Sequence, residues 1–72
     1  MKIDARVEFD EATATELFRD YVRVPVDIDY VEADYESVRE WVANELETMF
    51  GRPFAVEDFK IKNIDEIIDE IN

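Results

Sequence analysis

Lys2-Ile3-Asp4-Ala5-Arg6-Val7-Glu8-Phe9 alternates without a break. Ile3, Ala5, Val7 and Phe9 fall on one face; Lys2, Asp4, Arg6 and Glu8 fall on the other. Period two with a single apolar face describes a half-buried strand. Further on, residues 22–31 place Val22, Val24, Val26, Ile28 and Tyr30 on one side and Arg23, Pro25, Asp27 and Asp29 on the other. Pro25 has no N–H for a ladder bond, so this second strand is predicted to lie at a sheet edge or to carry a bulge. Residues 54–62 are less regular. Phe54 and Val56 share one parity, Phe59 and Ile61 the opposite one, and a turn or bulge at Glu57-Asp58 reconciles them.

Helical patterns fill the intervals. Asp10 suits an N-cap, because its carboxylate can accept from a free amide of the first turn. Ala14, Leu17, Phe18 and Tyr21 follow at helical spacing, which predicts a helix over roughly 11–21. Asp34 caps a second helix whose stripe is Val38, Trp41, Val42, Leu46 and Met49. Gly51 followed by Arg52-Pro53 stops it, since glycine takes the left-handed position and proline cannot continue. Asn63, with Glu66 three residues on, has the form of a capping box. Ile64, Ile67, Ile68 and Ile71 make the apolar side of a short last helix. The order βαβαβα predicts an α+β fold: a small two-layer sandwich over residues 1–72, with a three-stranded sheet and helices packed on its apolar face. Strand order and direction stay open at this level.

Composition narrows the chemistry. The chain has no His and no Cys, one Ser (Ser37) and one Gly (Gly51). No base is placed beside Ser37, and one glycine cannot build a glycine-rich phosphate loop; two carboxylates alone can run glycoside hydrolysis, but a 72-residue domain has little room for a substrate cleft. No enzyme activity and no cofactor are expected. Asp27 and Asp29, near Glu32 and Asp34, are weak candidates for a hard-cation site, set side by side on a strand face. The run lacks the glycine and third ligand of a calcium loop. No run approaches a membrane span or a signal peptide, so the expectation is a soluble cytoplasmic protein without a membrane partner.

Twenty acids against eight Lys and Arg give a net charge of −12. Such a surface is repelled by nucleic acid and by anionic lipid, so its expected partners are basic proteins, with no direct nucleic-acid binding. The acids are also placed against helix stability. Glu16–Asp20, Glu36–Glu40, Asp65–Asp69 and Glu66–Glu70 are like-charge pairs four apart, each destabilising a helix by about 0.2–0.5 kcal/mol. Glu16–Arg19 and Glu36–Arg39 give partial relief. Glu45, Glu47, Asp69 and Glu70 sit in later helical halves, where the dipole disfavours anions.

A globule of this length is about 29 Å across by the usual size rule, so its net charge amounts to about one per 2.4 Å. Duplex DNA carries about one per 1.7 Å. The sequence-level reading is therefore an inhibitor that mimics DNA in the basic groove of a nucleic-acid-binding protein or nuclease. Glu36, Glu40, Asn44 and Glu47 would form its contact surface along the second helix, and Asp65, Glu66, Asp69 and Glu70 would extend it. In size and acidity the chain resembles small phage-encoded blockers of restriction and CRISPR enzymes and inhibitors of uracil-DNA glycosylase; the likeness is compositional, with no shared motif. Two alternatives stand beside it. One is an acidic interaction module anchored by Tyr30, Tyr35 and Trp41, although Tyr30 and Trp41 fall on apolar stripes that favour core packing. The other is a small protein adapted to high salt. The oligomeric state and the identity of the target are not encoded in any pattern of the chain.

Overall fold

The computed structural model describes residues 1–72. Strand β1 (Lys2–Phe9) is followed by helix α1 (Glu11–Leu17), strand β2 (Tyr21–Asp27), a 3-10 turn (Ile28–Tyr30), helix α2 (Tyr35–Phe50), a second 3-10 turn (Val56–Asp58), strand β3 (Phe59–Ile61) and helix α3 (Ile64–Ile71). The three strands form one sheet in the order β2-β1-β3, antiparallel throughout. The helices pack on the face that carries Ala5, Val7, Phe9, Val24, Val26, Phe59 and Ile61, and add Val38, Val42, Leu46 and Ile67 to one core. This is the expected α+β two-layer sandwich. No helix is long and apolar enough to cross a membrane.

Local signals at helix starts act as read. Asp10 accepts from the Thr13 amide at 2.8 Å, and Asp34 from the Ser37 amide at 2.8 Å. Gly51 (φ 70°) closes α2, its N–H donating to the Glu47 carbonyl at 2.8 Å. The 3-10 turn at Val56–Asp58, held by the Asp58 carboxylate accepting from the Ala55 amide at 3.0 Å, supplies the change of parity before β3. It also leaves Phe54 free to join Phe9 and Phe50, with ring centroids 5.8–6.0 Å apart.

Two expected spans end early. Helix α1 stops at Leu17 instead of reaching residue 21, and Phe18 takes a left-handed conformation (φ 55°). The chain has to return at Asp20, whose carbonyl accepts from the Phe9 amide at 2.9 Å, so no further helical turn fits. Phe18 is consequently 96% exposed and Tyr21 62% exposed, neither in the stripe expected of it. Strand β2 likewise stops at Asp27, not residue 31. The last bond of the pair runs from Ile28 N–H to the Met1 carbonyl (3.1 Å), and the Asp27 carboxylate then accepts from the Asp29 amide (3.2 Å) to start the 3-10 turn. The chain turns, Ile28 stays half-buried, and Tyr30 is left 79% exposed.

Pro25 does sit on an edge strand. It faces Asp4 in the β1–β2 register. The ladder bonds of this pair fall at odd-numbered β1 residues (Phe9, Met1), so Asp4–Pro25 is a non-hydrogen-bonded pair and Pro25 needs no N–H toward β1. Its carbonyl, turned to the free edge, accepts from Trp41 Nε1 at 3.0 Å. Trp41 thus shields the edge while its ring stays half-buried. Met49, expected in the α2 stripe, is 48% exposed.

Asn63 does not form the capping box. Its side chain makes no bond to the α3 backbone. Its amide instead donates to the Asp4 carbonyl (2.9 Å) and accepts from the Arg6 N–H (2.8 Å), with a longer contact to Glu66 at 3.4 Å. β3 is three residues long beside an eight-residue β1. The Asn63 amide completes the edge that β3 leaves unpaired. Replacing Asn63 with Ala strips partners from two backbone groups, and a loss of about 2–4 kcal/mol is expected in urea unfolding; an unchanged midpoint would show that water serves those groups equally well.

Candidate partner-binding surface

At about 100° per residue, Glu36, Glu40, Asn44 and Glu47 fall within an arc of about 80° on α2. That arc lies opposite Val38, Val42 and Leu46, and all four side chains are exposed. On α3, Ile67 is buried while Ile64, Ile68 and Ile71 are half-buried, so Asp65, Glu66, Asp69 and Glu70 are turned to solvent. Every sequence-predicted contact residue is therefore on the outer side of the helical layer.

The two helices pack together at their first turns. Tyr35 Oη donates to the Asp65 carboxylate, and the Arg39 guanidinium lies 5.5 Å from the Tyr35 ring centroid. Tyr35 and Arg39 project from the flank of α2 that meets α3, so they stand between the α2 row and the Asp65–Asp69 pair. Glu66 and Glu70 occupy the far flank of α3. The surface is two acidic strips with a tyrosine and one cation between them, not one unbroken ridge.

Its carboxylates are not consumed by ion pairing. The chain's bridges join the Met1 amine to Asp29 (2.8 Å) and Asp27 (3.7 Å), Arg52 to Glu16 (2.9 Å) and Lys62 to Glu8 (3.5 Å). None involves Glu36, Glu40, Glu47, Asp65, Glu66, Asp69 or Glu70. Glu16 and Asp20 no longer share a helix, because α1 ends at Leu17, and Glu16 turns to Arg52 rather than Arg19. Three like-charge helical pairs remain, Glu36–Glu40, Asp65–Asp69 and Glu66–Glu70. The molecule is longer than a sphere of its mass, 35 × 20 × 17 Å, so a charge of −12 along the 35 Å axis is about one per 2.9 Å.

Comparison with protein families, curated proteins and solved structures finds no match to this chain. The surface has to be understood from its own geometry.

Beside the α2 strip, Tyr30, Val31, Glu32, Ser37, Trp41 and the strip's own Glu40 and Asn44 enclose a shallow hollow of about 240 Å³. Tyr30 and Trp41 are two of the anchors expected of the interaction module; alternation favours the core for Tyr30, whereas the structure leaves it 79% exposed, and the grouping with Glu32 is not legible in the sequence. Strand β2 ends at Asp27, where the 3-10 turn Ile28–Tyr30 begins.

Asp27 and Asp29 do not sit side by side on a strand. Asp27 ends β2 and its carboxylate accepts from the Asp29 amide at 3.2 Å, starting the 3-10 turn. Both carboxylates converge on the Met1 amine, whose pKa is raised chiefly by its hydrogen bond to Asp29. No three carboxylates gather at a point that would hold a cation.

The Tyr35–Asp65 bond raises the Tyr35 pKa above its ordinary 10.0, the nearby Asp69 charge adding to it and Arg39 opposing it. The protonated phenol is the form that binds. The bond's contribution to stability is therefore complete below pH 10.0 and lost as pH rises through the raised folded value. Asp65→Asn is expected to bring the Tyr35 titration back toward its ordinary range in ultraviolet absorbance; an unmoved titration would mean that the helices are not joined there.

Proposed function

We propose that this protein is a DNA-mimicking inhibitor that acts in the cytoplasm by occupying the basic groove of a nucleic-acid-binding protein or nuclease, in the manner of anti-restriction and anti-CRISPR proteins. One observation carries the reading: seven carboxylates on the outer faces of α2 and α3 are exposed and have no Lys or Arg nitrogen within 4.0 Å. Acids placed for stability would be interleaved with lysine at i+4. Six of them form three pairs set four apart, about 6 Å along the helix axis, where they can meet cations that ordinarily grip successive phosphates, and Glu47 extends the α2 row. Asn44 adds an amide to the α2 row, and the strips give the partner two lines of anionic contact.

The exposure of Tyr30 beside Trp41 favours a second reading, an acidic interaction module whose anchor is the Tyr30–Trp41 hollow. In that case the acids supply solubility and steering, and the partner need not bind nucleic acid.

Salt and charge reversal separate the two. A target recovered from host lysate at low salt is expected to bind nucleic acid and to be displaced by duplex DNA. Its affinity is expected to fall steeply with rising salt and to drop at least about tenfold in Glu36→Lys/Glu40→Lys. A target indifferent to duplex DNA and to those reversals, yet lost in Tyr30→Ala, would replace mimicry with the second reading. A salt-adapted protein would be unfolded at about 0.1 M salt, so a full helical circular-dichroism signal there is expected.

A further inference from the structure

The uncovered face of the sheet is charged in the opposite sense to the rest of the molecule. Lys2, Arg6, Arg23, Lys60 and Lys62, five of the eight cations, lie there with Asp4, Glu8 and Asp27. Everything else carries seventeen acids and three arginines. Within this face, the register sets Arg6 directly opposite Arg23. On the other side the bond from Lys62 N–H to the Arg6 carbonyl (2.7 Å) continues the β1–β3 register and sets Lys62 opposite Arg6. Arg23, Arg6 and Lys62 thus form a single row across the sheet, with about 4.8 Å between neighbours.

Such a row opposes folding. Arg6–Arg23 falls at a non-hydrogen-bonded position, where opposing side chains come closest, and like charges directly opposite are destabilising. In a chain with twenty carboxylates, neither arginine has one within 4.0 Å. The row borders a shallow cavity of about 500 Å³, whose rim is Arg6, Arg23, Lys62 and Tyr21, with Val7 and Val22 contributing its floor. Tyr21 lies two residues from Arg23 on the same face and is 62% exposed.

We infer that this cavity binds a small phosphate-bearing molecule with a flat ring, of the nucleoside phosphate class. The guanidinium forks of Arg6 and Arg23 can each take two phosphoryl oxygens, and Lys62, 3.5 Å from Glu8, has further donors on its ammonium to turn toward the end of the row. Tyr21 offers its ring face to the base. A small anion stays within the reach of the row, since charges farther than about 8 Å are screened at physiological salt. A nucleic-acid chain would run on into the surrounding carboxylates, so the row favours the small ligand. This site faces away from the acidic strips and does not depend on them.

The test is a titration of the full chain, at low ionic strength, with inorganic triphosphate and separately with ATP, followed by amide NMR. Both are expected to give saturable shifts centred on Arg6, Tyr21, Arg23 and Lys62. ATP should bind more tightly than triphosphate, and Tyr21→Ala should erase that difference. Arg6→Gln should weaken both ligands about tenfold or more, the usual consequence of losing a charge-assisted hydrogen bond. Arg23→Thr, a strand-compatible change at the sheet edge, should do the same if Arg6→Gln folds poorly. Lys2→Gln, at the far end of β1, should leave both affinities unchanged. Shifts that never saturate, or that are as large at Lys2 as in the row, would overturn the site. Equal affinity for ATP and triphosphate would overturn its nucleoside part.

Discussion

β1 has to be hydrogen-bonded along both edges, and the rest of the molecule is arranged around that requirement. On one edge β2 pairs with it from Lys2 to Glu8. On the other, β3 covers only Val7 to Phe9. A buried backbone group without a partner destabilises by about as much as several weak contacts stabilise. The deficit is met by the Asn63 amide, which occupies the place of a further strand residue at Asp4 and Arg6. Because Asn63 directly precedes α3, this pairing also fixes where the last helix begins, and with it where Asp65 meets Tyr35.

The same layering sorts the charges. Strand periodicity of two sends alternate residues to the uncovered sheet face, and five cations are among them. Helical periodicity sends Glu36, Glu40, Glu47 and the α3 acids to the opposite outer surface. Neither face is locally neutral, and both contain like-charge neighbours: carboxylates four apart on the helices, arginines opposed on the strands. Together the three helical pairs oppose folding by about 1 kcal/mol before salt screening, out of a total that is small for any domain of this size. Two surfaces of opposite sign, each unfavourable to the free fold, thus lie on opposite sides of the sandwich: carboxylates on the helical side and a row of cations on the sheet side.

Aromatic residues divide along similar lines. Phe9, Phe50 and Phe54 close the end of the core, and Arg52 caps them, its guanidinium 4.4 Å from the Phe54 centroid while it pairs with Glu16. Tyr21 and Tyr30 lie outside the core, one beside the arginine row and the other beside the α2 strip. Their rings give each charged surface a flat apolar neighbour.

The sequence by itself determined the kind and order of the elements, the apolar face of β1, the caps at Asp10, Asp34 and Gly51, and the outward placement of the α2 and α3 acids. All of these follow from residues within a few positions of one another, through side-chain periodicity and local hydrogen bonds. Only the tertiary structure decided where α1 and β2 stop, which leaves Phe18 and Tyr30 in solvent, and that Asn63 serves β1 instead of capping α3. It alone aligned Arg23, Arg6 and Lys62, and set Tyr35 and Arg39 between the acidic strips. Those outcomes depend on strand register and on which backbone groups remain unpaired, and the partners involved are as much as 59 residues apart in the chain.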